Sequence, residues 1–239
     1  MLKVEELPVA VHHFDQAQWG FGDRWAMCNY ILRTSEDTGH KTLVSKDCWH
    51  EQIPLIMRSL VSTGSFEFVP MPFTHKVDYC ATYMVSFCPT KTYTWSPNKS
   101  KLICYQLDGR FKAEDKNLSH EETKSLFHFL SKSGYNLIDV GNMRPLGDSI
   151  RLLSKAEAFV GIPSGMSHVN NSVGTPAYII CKPAFAGGPK WAGSGWQFHT
   201  GCIYYQKSNV RLFDGVQDLT DYLFIVSQNL PRADTIPML

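Results

Sequence analysis

The chain is 239 residues long, 44% apolar and 19% charged, with a net charge of +1. That composition excludes a disordered chain, and the length fits one large domain or two small ones. The near-neutral charge excludes a global basic field for nucleic acid, while leaving room for a local basic groove.

No apolar run reaches the ~18 residues of a membrane span. The N-terminus, MLKVEELPVAVHHF, turns acidic at once and has no basic leader region, which reads against a signal peptide. The seven cysteines (Cys28, Cys48, Cys80, Cys88, Cys104, Cys181 and Cys202) are odd in number and show no CxxC spacing. They read as buried free thiols in a reducing cytoplasm, and the sequons at Asn98, Asn117 and Asn170 then read as chance matches.

The apolar pattern predicts strands alternating with helices. Leu7 to Phe14 is the first strand, followed by the Gly-rich turn Trp19-Gly20-Phe21-Gly22-Asp23. Arg24 to Thr34 reads as a helix with Trp25, Cys28 and Ile31 or Leu32 inward. A strand at Lys41 to Val44, a helix at Ile53 to Leu60 and strands at Phe66 to Val69 and Tyr79 to Phe87 come next. Pro89 to Ser100 is polar, aromatic and Pro-punctuated, and reads as an interlobe linker or exposed loop.

A second alternating series follows. Lys101 to Leu107 is a strand. Ser119 opens a helix with Glu122 three residues on, a capping-box spacing, and Gly134 ends it. Asn136 to Val140 is a strand, Leu146 to Lys155 a helix and Ala158 to Gly161 a strand. Ser167 to Val173 is a short helix closed by Gly174, Ala177 to Cys181 a strand, and Leu219 to Gln228 a C-terminal helix. The expected fold class is α/β, with two small Rossmann-like lobes and a ligand cleft between them. The boundaries are 1–98 for an acceptor-side lobe and 99–239 for a nucleotide-sugar-binding lobe.

Three turns carry candidate chemistry. In FVGIPSGMSHVNNSVGTP (Phe159 to Pro176) an apolar strand runs through Ser164-Gly165-Met166-Ser167-His168 into a helix. Helix N-termini offer unpaired N–H groups and a positive dipole end, so this turn reads as a phosphate cradle with Ser164, Ser167 and His168 as added donors. It reads equally as an ordinary strand–helix turn with Ser167 as N-cap. Asp23 follows glycines 20 and 22 at the carboxyl edge of a sheet, where a carboxylate can take a hydroxyl proton. It also reads as a cap that complements its helix dipole. In Tyr105 to Lys112 (YQLDGRFK), Arg110 and Lys112 follow a strand end, where cations stabilise a diphosphate leaving group, or occupy a solvated turn. Asn142 and Arg144 follow another strand and are placed to meet a base or ribose. His13 ends the first strand. The Gly- and Trp-rich run from Gly187 to Trp196 reads as a lid or acceptor contact. There is no Asp-x-Asp, GxxxxGK[ST] or GxGxxG, so no metal-bridged site, P-loop or dinucleotide fingerprint is indicated.

On these residues the chain resembles the two-Rossmann-lobe (GT-B) glycosyltransferases, most nearly the heptosyltransferase-like, family 9-like group. Trp19-Gly20-Phe21-Gly22-Asp23 is similar to that group's Gly-x-Gly-Asp turn. Ser164-Gly165-Met166-Ser167-His168, followed by Gly174-Thr175-Pro176, is similar to its donor turn in order and spacing. Pro163 stands where the group usually has an acidic residue that touches the sugar, which leaves the sugar unnamed.

The resemblance implies metal-independent transfer from a nucleotide-diphosphate sugar, UDP- or ADP-linked, with no further cofactor. It implies Asp23 as general base and Arg110, Lys112, Ser164, Gly165, Met166, Ser167 and His168 at the diphosphate. Asn142 and Arg144 would lie at the nucleotide, and Trp19, Gly20, Gly22 and His13 on the acceptor side. The acceptor is a glycan or lipopolysaccharide core, or hydroxymethylcytosine in phage DNA. For the latter, Lys91, Tyr93, Trp95, Lys99 and Lys101 are candidate nucleic-acid contacts. A non-catalytic nucleotide-sugar-binding module and a sugar-nucleotide epimerase are the alternatives. A cytoplasmic location is expected.

Overall fold

The computed structural model describes residues 12–14, 20–70, 75–77, 87–91, 93–97, 101–109, 116–141, 144–182 and 209–229. Strand–helix alternation produces two sheets in which every pairing is parallel. The first is built from β1 (His12–Phe14), β2 (Thr42–Ser45), β3 (Phe66–Val69) and β4 (His75–Val77), in the order β3-β2-β1-β4. The second contains β5 (Leu102–Gln106), β6 (Asn136–Asp139), β7 (Ala158–Gly161), β8 (Ala177–Ile180) and β9 (Val210–Phe213), in the order β6-β5-β7-β8-β9. The fold is α/β with two Rossmann-like lobes.

The helices are α1 (Phe21–Thr38), α2 (Ile53–Ser59), α3 (His120–Lys132), α4 (Leu146–Lys155), α5 (Gly165–Val173) and α6 (Val216–Asn229). The capping box of α3 is present: Ser119 N–H donates to Glu122 Oε2 at 2.6 Å, and Glu122 N–H to Ser119 Oγ at 3.2 Å. Gly134 and Gly174, at φ +79° and +88°, supply the left-handed residues that follow α3 and α5.

Helices α4 and α5 cover one face of the second sheet and α3 and α6 the other. Around Leu126, Leu130, Val160, Phe213 and Leu219 lies the outer core. The inner core joins both lobes, with Phe14, Trp25, Ile31 and Val44 packed in one cluster with Leu153, Phe159, Val169 and Ile179. Full burial of each such side chain contributes about 1.5–3 kcal/mol. Helix α1 is buried on more than its expected stripe, because one side meets its own sheet and another meets α5. There the Trp25 indole N–H donates to Ser172 Oγ at 3.1 Å.

Several expectations change; α1 begins at Phe21 rather than Arg24 and α6 at Val216 rather than Leu219. Helix α5 begins at Gly165 rather than Ser167, with Ser164 as N-cap, because Ser167 sits three residues inside and reaches back to the cap. The fourth described strand is His75–Val77; of the expected strand at Tyr79 to Phe87, residues 79–86 lie outside the described residues and Phe87 is buried but not in a strand. Strand β9 was not expected, since Arg211 interrupts its apolar run; its guanidinium carbon lies 4.8 Å from the centre of the Tyr222 ring.

Each sheet reverses its winding once, between β1 and β4 and between β5 and β7. Ligands of open α/β sheets bind beyond the carboxyl ends of the strands at such reversals. Gln106 and Gly161 are the paired ends of β5 and β7.

Candidate functional site

The first turns of α1 and α5 meet between the lobes. A Cβ placed on Gly22 would lie 2.7 Å from His168 Cδ2 and 2.9 Å from Gly165 Cα. One placed on Gly165 would lie 2.9 Å from Phe21 Cδ1 and 3.1 Å from Gly22 N. The close approach that Gly165 permits is therefore to the helix of the other lobe. Two positive helix ends, each with first-turn amides that lack intrahelical partners, converge there.

Both helices are capped in the same way, by a side chain from the third helical residue. Asp23 Oδ2 accepts from Gly20 N–H at 2.6 Å, and Ser167 Oγ accepts from Ser164 N–H at 3.2 Å. The Ser167 hydroxyl donates in turn to Ser164 O at 2.6 Å, and the Ser164 hydroxyl to Gln106 Oε1 at 2.6 Å. Both serine protons are thus taken up within the protein. Met166 turns its side chain into the inner core. What residues 164–167 present to an anion is therefore backbone.

Among the described residues, the cation at this place is Lys116. Its side chain is buried, its Nζ donates to Pro163 O at 3.4 Å, and a Cβ on Gly109 would lie 2.8 Å from its Cε. Burial lowers its pKa, and the charge of Asp23 opposes that shift. Among the described residues it has no salt bridge. Burial pushes His168 down to about 4, with Asp23 opposing and Lys116 adding to the effect. The imidazole is neutral near pH 7, so it can offer an N–H but not the positive charge a protonated ring would bring. Its ring meets Phe87 edge-on at 5.8 Å between centroids.

No protein-family model matches the chain, and no curated protein matches its sequence. Solved structures do match its shape. The chain is similar to TibC, a bacterial iron-containing dodecameric glycosyltransferase from enterotoxigenic E. coli, with a TM-score of 0.55 and 13% identity, over 74% of this chain and 60% of that one. A second TibC structure, a dodecameric iron-containing heptosyltransferase in complex with ADP-D-β-D-heptose, gives a TM-score of 0.48 at 13% identity, over 74% of this chain and 61% of that one. The chain thus spans about 60% of the length of that protein. The fold is the two-lobed GT-B fold.

Gly22 from the first lobe meets Gly165 and His168 from the second, and Asp23 is near enough for its charge to act on His168. Arg144 stands past the end of β6, exposed, with its Nε donating to Asp139 O at 3.1 Å. His13 is the middle residue of β1, with its Nδ1 3.7 Å from Cys48 Sγ. Trp19, Arg110, Lys112, Asn142 and the run 187–196 lie outside the described residues. Lys116 was not anticipated. Its signal is a lysine three residues ahead of the capping-box serine, at the mouth of the helix that follows the first strand of the second lobe.

Of the basic and aromatic linker, Lys99 lies outside the described residues, and Trp95 and Lys101 lie away from this turn. Trp95 N–H donates to Val173 O, Trp95 Nε1 to Ala156 O and Ser96 N–H to Ser154 O, all at the carboxyl ends of α4 and α5. Lys101 directly precedes β5. These groups stand at the opposite edge of the sheet from Ser164, roughly 12 Å along α5. Among the described residues no group of three or more His, Cys, Asp or Glu side chains could hold a metal ion, and no helix is long and apolar enough to cross a membrane.

Proposed function

We propose that the chain is a glycosyltransferase that moves a sugar from a UDP- or ADP-linked donor to an acceptor hydroxyl without a metal. The observation that carries this reading is the meeting of two helix N-termini, one from each lobe, beside buried Lys116 and half-buried Asp23. The donor diphosphate docks on the first-turn amides of α5, with the Lys116 ammonium and a His168 N–H against its oxygens. The acceptor oxygen bonds to the anomeric carbon as the bond from that carbon to the diphosphate breaks. The electron pair leaves on the diphosphate, where Lys116 and the helix dipole stabilise it. Asp23, oriented by its bond to Gly20 N–H, takes the hydroxyl proton.

Residues 1–98 form the acceptor lobe and 99–239 the donor lobe in this reading. The acceptor in this reading is a glycan hydroxyl, since Trp95 and Lys101, two of the residues suited to a nucleic acid, stand at the far edge from the site. The buried free thiols at Cys28, Cys48, Cys88, Cys104 and Cys181 fit a reducing cytoplasm. Arg110, Lys112, Asn142, Arg144, His13 and Trp19 keep their expected roles as proposals.

A non-catalytic sugar-nucleotide-binding module is the second reading. It is favoured by one observation, the Gly20–Asp23 hydrogen bond, which gives Asp23 a purely structural use. A thermal-shift screen of UDP- and ADP-sugars tests donor binding, since a ligand of the native state raises its stability. Binding is expected in the wild type. In Lys116→Met, affinity is expected to fall about 10–100-fold, the scale of a lost charge-assisted contact. Unchanged affinity in that variant would remove Lys116 from the site.

A further inference from the structure

Lys116 lies in the connection from β5 to α3, and that connection is closed at its base by a ladder of contacts. Leu118 N–H donates to Leu107 O at 3.3 Å. Asn117 then brackets Gly109 from both sides: Gly109 N–H donates to Asn117 Oδ1 at 2.8 Å, and Asn117 Nδ2 donates to Gly109 O at 3.1 Å. A primary amide suits this place because it accepts and donates in one plane, as a peptide does.

The main chain of Asn117 is held as well. Lys182, just past β8, donates from Nζ to Asn117 O at 2.8 Å and to Glu122 Oε2 at 2.7 Å. Glu122 is the acid of the α3 capping box, so the clasp is tied to a helix end and a strand end together. The Lys116 side chain, one residue earlier, runs across the Cα of Gly109 with its Nζ only 2.9 Å from where a Cβ would be. The residue that Asn117 grips is therefore the floor on which Lys116 rests.

We propose that Asn117 is the positioning residue for Lys116: its two-way clasp on Gly109 fixes the path of the lysine stem and sets the ammonium beside Pro163, at the mouth of the α5 turn. The proposal rests on the donor-site reading of that turn. Asn117 touches no substrate. It acts by holding a long, otherwise flexible cation in one place, so that its ordering does not have to accompany each binding event.

The test is calorimetric binding of UDP, ADP and inorganic pyrophosphate to the full chain. Asn117→Ala is expected to weaken the tightest of these about tenfold, close to the effect of Lys116→Met. In the Lys116→Met background the same change is expected to cost less than about twofold, because non-additivity marks action through a shared partner. Gly109→Ala leaves room for the Asn117 bonds but puts a methyl group against Lys116 Cε and Nζ, and a similar tenfold loss is expected. Wild-type affinity in Asn117→Ala, or a full further loss in the Lys116→Met background, would overturn the proposal. If Asn117→Ala does not fold, wild-type affinity in Gly109→Ala overturns it. A wild-type chain that binds none of the three probes overturns the donor-site reading itself, and the proposal with it. Binding that is lost in Lys116→Met but kept in both other variants overturns the positioning role alone.

Discussion

Burial holds the His168 imidazole at a pKa of about 4, against about 6.5 for an unfolded histidine. Between those values the unfolded chain binds a proton that the native chain does not, so stability falls as pH drops from about 6.5 to about 4. The full effect is roughly 3 kcal/mol, at 1.36 kcal/mol per pKa unit. His168→Gln keeps a polar group at the position and cannot take up the proton. Urea unfolding at pH 4.5 and 7.5 is expected to show a smaller acid loss in this variant than in the wild type. An equal loss in both would place the acid sensitivity elsewhere. The same neutrality leaves positive charge at the turn to Lys116 and the helix ends, while the two serine hydroxyls are bonded to Gln106 and to the turn itself.

At the scale of elements, the contact between α1 and α5 sets the distance between Asp23 and the donor turn. Neither Gly22 nor Gly165 has a positive φ, so their need is for space alone. Gly22→Ala would drive a methyl group into the His168 ring and the Gly165 backbone. Overpacking of this kind costs about 1–3 kcal/mol, and a displacement near 1 Å between reacting groups can lower turnover about 100-fold. The variant is expected to melt earlier and to lose more in turnover than in donor affinity, measured by thermal unfolding and by initial rates. Wild-type values of both would show that the helices yield without moving the lobes. The two glycines were legible as turn residues, but their mutual contact was not, because it joins positions far apart in sequence. The start of α5 was misplaced for a local reason: Ser164 and Ser167 are both good caps, and a glycine at the first helical position weakens the earlier start.

For the whole molecule, the alternation of strands and helices was legible because parallel strands read as short apolar runs and the helices carry caps at fixed offsets. The box at Ser119 and Glu122 and the closing glycines at 134 and 174 are examples. The place of Lys116 was not. Arg110 and Lys112, which stand nearer the strand end in sequence, lie outside the described residues, whereas Lys116 reaches Pro163 from a connection that Asn117 closes on Gly109. By composition the linker reads as an interlobe segment or exposed loop, with its basic and aromatic residues as candidate nucleic-acid contacts if the acceptor is DNA. Its docking on the carboxyl ends of α4 and α5 is a tertiary fact that composition does not carry.

The central claim is that the two lobes assemble a donor turn and a base on opposite sides of one cleft. The most direct measurement is sugar transfer by the wild type and by Asp23→Asn, using UDP- and ADP-sugars with glycan acceptors and with hydroxymethylated DNA, alongside donor binding by each protein. Asparagine can still accept from Gly20 N–H, so the cap is kept while the base is removed. The account predicts transfer to a glycan by the wild type, a fall of at least about 100-fold in the variant, and donor binding by both. Full turnover in Asp23→Asn, or donor binding with no transfer by the wild type, would contradict it.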